Sequence, residues 1–193
     1  MTSVVLASAS PRRHELLTRA GVPFVVRVPD IDESPRDGEQ PVDYVRRLAC
    51  EKAAAVRAEP GELVIAADTT VDLDSRILGK PLDDREAAAM LRELSGRTHQ
   101  VHTGVAVRAD GRELVEVCTT LVTFVALAES AIDWYVATGE PMGKAGAYAL
   151  QGAAAALVSS VEGSVSNVIG LPMHLVLELA TRIGIDLLAT TAD

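Results

Sequence analysis

The sequence predicts an α/β fold built on a mixed sheet flanked by helices. Strand-like and helix-like segments alternate in the first half of the chain, as in strand–helix–strand units. Hairpin signals follow in the middle, around Asp74-Ser75 and Asp110-Gly111, so part of the sheet is antiparallel. The 193 residues, 48% hydrophobic and 23% charged, suffice for one core or for two lobes sharing a sheet.

Val4-Val5-Leu6-Ala7 reads as a buried strand and Ser8-Ala9-Ser10 as a tight turn. Ser10 fits the N-cap and Pro11 the first helical position, where a missing N–H costs nothing. Leu16, Leu17 and Ala20 give this helix an apolar face, and Gly21 a stop. Arg12 and Arg13 break the pattern. They are cations at the positive end of the helix dipole, each unfavourable by roughly 0.3–1 kcal/mol at an exposed site. Either both are solvated, or an anion held by free N–H groups, the serine hydroxyls and the two guanidinium groups resolves the conflict.

Residues 22–28 read as a strand with Pro23 at its start. The following PDIDESPRDGEQ is a loop by composition. Its carboxylates, Glu33 among them, are either solvated or available to a divalent cation, since Mg²⁺ takes one or two carboxylates plus substrate phosphates. Residues 41–57 form a helix with a stripe of Val45, Leu48, Ala49, Ala53 and Val56. Lys52 lies beside that stripe, either snorkelling from the core or facing a phosphate. Residues 62–67 form a continuous buried strand, and Asp68 follows at its end, where α/β folds place ligand chemistry. A hairpin through Asp74-Ser75 returns Lys80 toward Asp68, a favourable neighbour for a carboxylate.

Asp83 with Glu86 matches a helix N-terminus, Ala87, Met90, Leu91 and Leu94 its inner face, and Gly96 its end. Residues 97–105 and 114–125 read as strands joined at Asp110-Gly111. His99 and His102, at odd spacing, face opposite sides of a regular strand and are expected to have a structural or peripheral role. Residues 130–137 form a helix with Trp134 in the core or at an interface. Residues 138–147 are glycine-rich and read as a mobile loop. Residues 154–161 read as a strand and 162–171 as a polar loop, and Pro172 opens a last helix. Residues 187–193 are expected to fray.

The net charge of −9 disfavours nucleic-acid binding, which needs a basic face, yet leaves room for a small anion among local arginines and lysines. Cys50 and Cys118 lack metal-ligand spacing and read as reduced thiols of a cytoplasmic protein. No stretch reads as a signal peptide or a membrane span. Ser8, Arg12, Arg13, Glu33, Lys52, Asp68 and Lys80, with Gln151 from a distant loop, make a set that suits a polyphosphate. The cations hold phosphates, and a carboxylate with Mg²⁺ handles a nucleophilic water. Walker-type and Gly-x-Gly-x-x-Gly segments are both absent.

In order, LASASPRRHELL, DIDES, AADTTVDLDSRILGKP, SGRTHQVHTGVAV, YALQG and EGSVSNVIGLP resemble the motifs of the Maf nucleotide pyrophosphatases, over roughly residues 4–177. The resemblance implies an elongated fold of two lobes with a cleft, related to that of inosine-triphosphate pyrophosphatase, in one domain over residues 1–193. It implies hydrolysis of a nucleoside triphosphate to monophosphate and pyrophosphate with a divalent metal, in a protein that forms a homodimer. It implies Asp68 as proton acceptor, and Arg12, Thr69 and Gln151 as positions tied to substrate choice in the branch that takes dTTP and UTP. With it, Ser8, Ser10, Arg12, Arg13, Lys52 and Lys80 are expected to hold phosphates, and Glu33 and Asp68 the metal. Gln151 either pairs with O4 and N3–H of the pyrimidine or bonds to backbone. A broad range of nucleoside triphosphates, or modified pyrimidine nucleotides, are competing substrates. A regulatory nucleotide-binding protein linked to cell division, with little turnover, is a competing function, disfavoured by the intact Asp68, Lys52, Lys80 and Arg13.

Overall fold

The computed structural model describes residues 3–189. The elements in chain order are β1 (Ser3–Ala7), α1 (Pro11–Arg19), β2 (Phe24–Val26), α2 (Pro41–Ala55), β3 (Glu62–Leu73), β4 (Arg76–Leu78), α3 (Asp84–Leu94), β5 (Thr98–Ala109), β6 (Arg112–Phe124), α4 (Glu129–Ala137), β7 (Val158–Glu162), α5 (Val165–Ile169) and α6 (Met173–Arg182). The strands form one seven-stranded mixed sheet in the order β2-β1-β3-β5-β6-β7, with β4 also on β3.

The architecture turns on β3. Its long run of apolar residues is buried, as a strand covered on both faces must be. One edge pairs with β5 along its length, antiparallel. The other edge is shared. Parallel β1 takes Glu62 to Ala66, and antiparallel β4 takes Val71 to Leu73. Among the described residues, 67–70 have no strand on that side, and there the sheet opens into a cleft. Asp68 therefore lies mid-strand, whereas the sequence predicts a strand end there. What ends at Ala66 is its partner β1.

Helices cover both faces. On one, Ala49, Ala53 and Val56 of the α2 segment pack on Val5, Ala7, Val64, Ala66 and Ala106, small side chains that let the helix come close. On the other, Leu17 of α1 and Val176 and Leu179 of α6 pack on Val4, Leu6, Ile65 and Val105. Beyond the gap, a second core joins Leu91 and Leu94 of α3 and Ile132 and Tyr135 of α4 to Val71, Leu73, Val101, Val122 and Phe124. The cleft lies between these two packed regions.

Several boundaries differ from the sequence reading. The ladder with β1 covers Phe24–Val26, after Pro23, which has no N–H to donate, and closes with the Arg27 N–H donating to the Leu6 carbonyl at 3.1 Å. The alanine run Ala153–Leu157 is a 3₁₀ turn, and β7 begins only at Val158. The polar stretch after it contains α5, started by Ser164, whose hydroxyl accepts from the Asn167 N–H at 3.2 Å. Trp134 is 49% exposed and outside the core, which its neighbours Ile132 and Tyr135 enter. Leu187 is buried with α6, while residues 190–193 of the expected frayed end lie outside the described residues.

Candidate active site

Strand alternation sorts the β3 side chains at the gap. Asp68 shares a face with Val64 and Ala66, toward α2, and Thr69 shares the other with Ile65. On the α2 side, Lys52 is 5% exposed and its ammonium lies 2.6 Å from Asp68 Oδ1 and 2.7 Å from Glu33 Oε1. Snorkelling fails here because the head points inward to two carboxylates. Burial opposes ionisation of Glu33, but Lys52, Lys80 and Arg13 outweigh it and hold the carboxyl below the usual range. Tyr44 ties the Glu33 loop to α2, its hydroxyl donating to the Glu33 carbonyl at 2.9 Å. Burial, then the charges of Asp68 and Glu33, push the Tyr44 phenol up to about 12, so it stays a donor.

Lys80 reaches Glu33 Oε2 at 3.7 Å and pairs with that carboxylate and not with Asp68, contrary to the sequence expectation. Lys52 already occupies the Asp68 side.

On the opposite face, Arg13 is buried. Its Nε donates to the Gly170 carbonyl at 2.7 Å, and its other nitrogens donate to Ser8 Oγ and Thr69 Oγ1, each at 3.1 Å. All three acceptors are neutral. Burial lowers the Arg13 pKa, Asp68 raises it and Arg12 lowers it further. Ser8 Oγ also accepts from the Ser10 N–H at 3.2 Å, which closes the turn into α1. Ser10 holds the N-cap position without a cap hydrogen bond, so its hydroxyl is uncommitted. Thr69 Oγ1 lies 2.9 Å from Thr103 Oγ1 and belongs to the Arg13 cluster. Arg12 makes no hydrogen bond or ion pair among the described residues, and burial lowers its pKa too.

These groups line one cavity of about 550 Å³. Ser8, Ser10, Arg12, Arg13, Glu33, Lys52, Asp68, Thr69, Lys80 and Gln151 are all on its wall. Gln151 is exposed and has no hydrogen-bonding partner of its own among the described residues. The cavity also includes Lys144, which sequence reasoning passed over within a glycine-rich segment. Burial and the charge of Arg12 lower its pKa, against a smaller opposing effect of Glu140. The signal was a lone lysine in an otherwise small-residue run.

His99 and His102 stay outside the cavity. His99 Nε2 lies 2.8 Å from the Tyr148 hydroxyl, while His102 bridges Thr119 at 2.8 Å and Asp72 at 3.2 Å. Among the described residues no cluster of three or more His, Cys, Asp or Glu could hold a metal by itself. Asp68 and Glu33, brought to one ammonium, are the carboxylates that could share one with a bound phosphate.

The Maf-like protein family matches residues 3–183. A dTTP/UTP pyrophosphatase of Symbiobacterium thermophilum is 51% identical over 185 residues, 95% of each chain. One from Myxococcus xanthus is 53% identical over 187 residues, covering 96% of this chain and 95% of that one. Among solved structures, a HAM1 protein from Coxiella burnetii overlaps 64% of this chain and 73% of its own, with a TM-score of 0.46 and 20% identity.

Proposed function

The chain belongs to the Maf family, and from that premise we propose that its cleft hydrolyses dTTP and UTP to the monophosphate and pyrophosphate. One observation carries the reading. Arg12 and the buried Arg13 line the cavity without an ion-pair partner among the described residues, opposite a carboxylate pair gathered on Lys52. A polyphosphate supplies the missing anion, and the volume of about 550 Å³ is of ligand size.

Asp68 is the general base. Lys52 holds Oδ1 and fixes the side chain, which leaves Oδ2 to take a proton from water. The water oxygen bonds to the α-phosphorus, the bond to the bridging oxygen breaks, and pyrophosphate leaves. Arg12, Arg13, Lys80 and the uncommitted Ser10 hydroxyl stabilise the charge that moves onto it. Glu33 and Asp68 would hold a divalent cation with the substrate's own phosphates, a set that suits Mg²⁺. When bound, such a cation neutralises charge on the phosphates. The unpaired Gln151 amide offers a donor to O4 and an acceptor to N3–H of thymine or uracil. We read the chain as one domain, since one sheet runs through both packed regions, acting on free nucleotide in the cytoplasm. No described helix is long and apolar enough to cross a membrane.

Product analysis with dTTP, UTP, CTP and 7-methyl-GTP in Mg²⁺ tests this. The expected products from dTTP and UTP are monophosphate and pyrophosphate, with turnover lowered about 10²–10³-fold by Asp68→Asn while dTTP still binds. Orthophosphate as first product would move the attack to the γ-phosphorus and overturn the mechanism. Binding of dTTP by the wild type without turnover would favour the regulatory reading.

A further inference from the structure

One carboxylate outside the phosphate-facing cluster organises the wall that carries Gln151. Glu140 follows α4. Its Oε1 accepts from the Tyr135 hydroxyl at 2.8 Å and from the Ala154 N–H at 3.3 Å, and its Oε2 from the Ala153 N–H at 3.0 Å. The Tyr135 hydroxyl oxygen in turn accepts from the Ala149 N–H at 3.1 Å. Ala149 on one side and Ala153-Ala154 on the other are thus held by a single Tyr–Glu pair. Leu150, Gln151 and Gly152 arch between them, closed by the Gly152 N–H donating to the Ala149 carbonyl at 3.0 Å.

The carboxylate sits directly against Gly152. A Cβ at Gly152 would lie 2.1 Å from Glu140 Oε2. Tyr135 is 0% exposed, so the anchor is rooted in the distal core. Burial opposes ionisation of Glu140, but hydrogen bonds from Ala153, Tyr135 and Ala154 outweigh it and keep the carboxyl below its usual range. Burial and Glu140 push the Tyr135 phenol up, so it remains the donor of the pair. Gln151, by contrast, has no side-chain partner among the described residues, so its position in the cleft is set by the backbone alone.

We propose that Glu140 is a positioning residue for nucleobase selection, fixing through Tyr135 and the 153–154 amides the arch that presents Gln151 to the base. The proposal rests on the reading of Gln151 as the group that meets the pyrimidine edge. It differs from a purely structural cap in what it predicts. A cap lowers stability, whereas a positioning group changes which base is accepted.

Glu140→Gln tests it, because the amide must turn a donor toward Ala153 or toward Tyr135 and Ala154, which releases one anchor. Kinetics on dTTP, UTP and GTP are expected to show KM for dTTP raised about 10-fold, kcat at saturation within about 3-fold, and preference over GTP reduced about 10-fold. Tyr135→Phe, which keeps the ring and removes both hydroxyl bonds, should act in the same direction and serves if Glu140→Gln does not fold. Gln151→Ala should change preference more in the wild type than in the Glu140→Gln background. Intact preference in both anchor variants, with preference lost in Gln151→Ala, would overturn the role of Glu140 and leave that of Gln151 standing. Intact preference in Gln151→Ala would overturn both.

Discussion

Gly104→Ala isolates the geometric demand that the fold places on the site. Gly104 lies opposite Asp68 in the β3–β5 pairing. A Cβ there would lie 2.2 Å from the Val45 carbonyl oxygen, 2.6 Å from the Val45 carbonyl carbon and 3.0 Å from the Arg46 nitrogen. All three atoms are α2 backbone, so no rotamer change relieves the clash. The conflict is one of space and not of backbone conformation. Reaching ordinary contact distance requires α2 to withdraw by about 1 Å. Lys52 lies two turns beyond Val45 on the same buried face, and its bond to Asp68 is 2.6 Å long. Withdrawal of α2 as a rigid body takes that pair out of hydrogen-bond range. Overpacking costs about 1–3 kcal/mol, or a Tm lower by about 2–12 °C in a chain of this size. The loss in kcat/KM should be larger, about 10²-fold, because a displacement of this size uncouples Asp68, the proposed base, from Lys52. Scanning calorimetry and dTTP kinetics well below Tm separate the two effects. A lowered Tm with unchanged kcat/KM would refute the claim that the close approach of α2 serves the Lys52–Asp68 geometry. Wild-type values for both would refute the packing argument itself.

Lys52→Met keeps the length of the side chain and removes the charge shared by Asp68 and Glu33. It should destabilise the fold by about 2 kcal/mol in urea titration and lower kcat by about 10²–10³-fold. His99 is buried, and loss of water holds its pKa down at about 4. The unfolded chain takes up that proton near pH 6.5 and the folded one does not. Stability from this group is therefore complete above pH 6.5 and lost as pH falls from 6.5 to 4, by at most about 3 kcal/mol. Urea midpoints between pH 4 and 7 should fall with acid in the wild type and flatten in His99→Gln.

The sequence made the one-sided elements legible. Val45, Leu48, Ala49 and Ala53 on α2, and Ala87, Met90, Leu91 and Leu94 on α3, repeat at helical spacing because each helix has one buried face, and all are buried. The Asp110-Gly111 turn was readable because two residues of positive φ match the twist of a two-residue hairpin. Asp68 was misread as a strand end for a physical reason. Polar Asp68, Thr69 and Thr70 break the apolar run, yet β5 supplies the ladder bonds that keep the backbone extended through them. The run Ala153–Leu157 has no period to choose between strand and turn, and Glu140 chooses by accepting from two of its amides. That choice depends on a contact across the loop, which local pattern does not encode.

The site residues were legible as a set because their chemistry is at odds with stability, but the division of labour between Arg12 and Arg13 was not. Facing neutral acceptors only, Arg13 could be replaced by an uncharged donor if its task were to tie Gly170 to α1. Instead a guanidinium is buried at the positive end of a helix, where burial and dipole act against it together. Asp68 and Glu33 offset part of this without touching it, and Arg12 adds to it. The remainder is a positive potential concentrated on the cavity wall of a chain whose net charge is −9. In the proposed reaction, a triphosphate entering the cleft would meet that potential beside both arginines. On that proposal, the same feature that opposes stability in the free protein would strengthen binding of the substrate and, more so, the departure of a charged pyrophosphate.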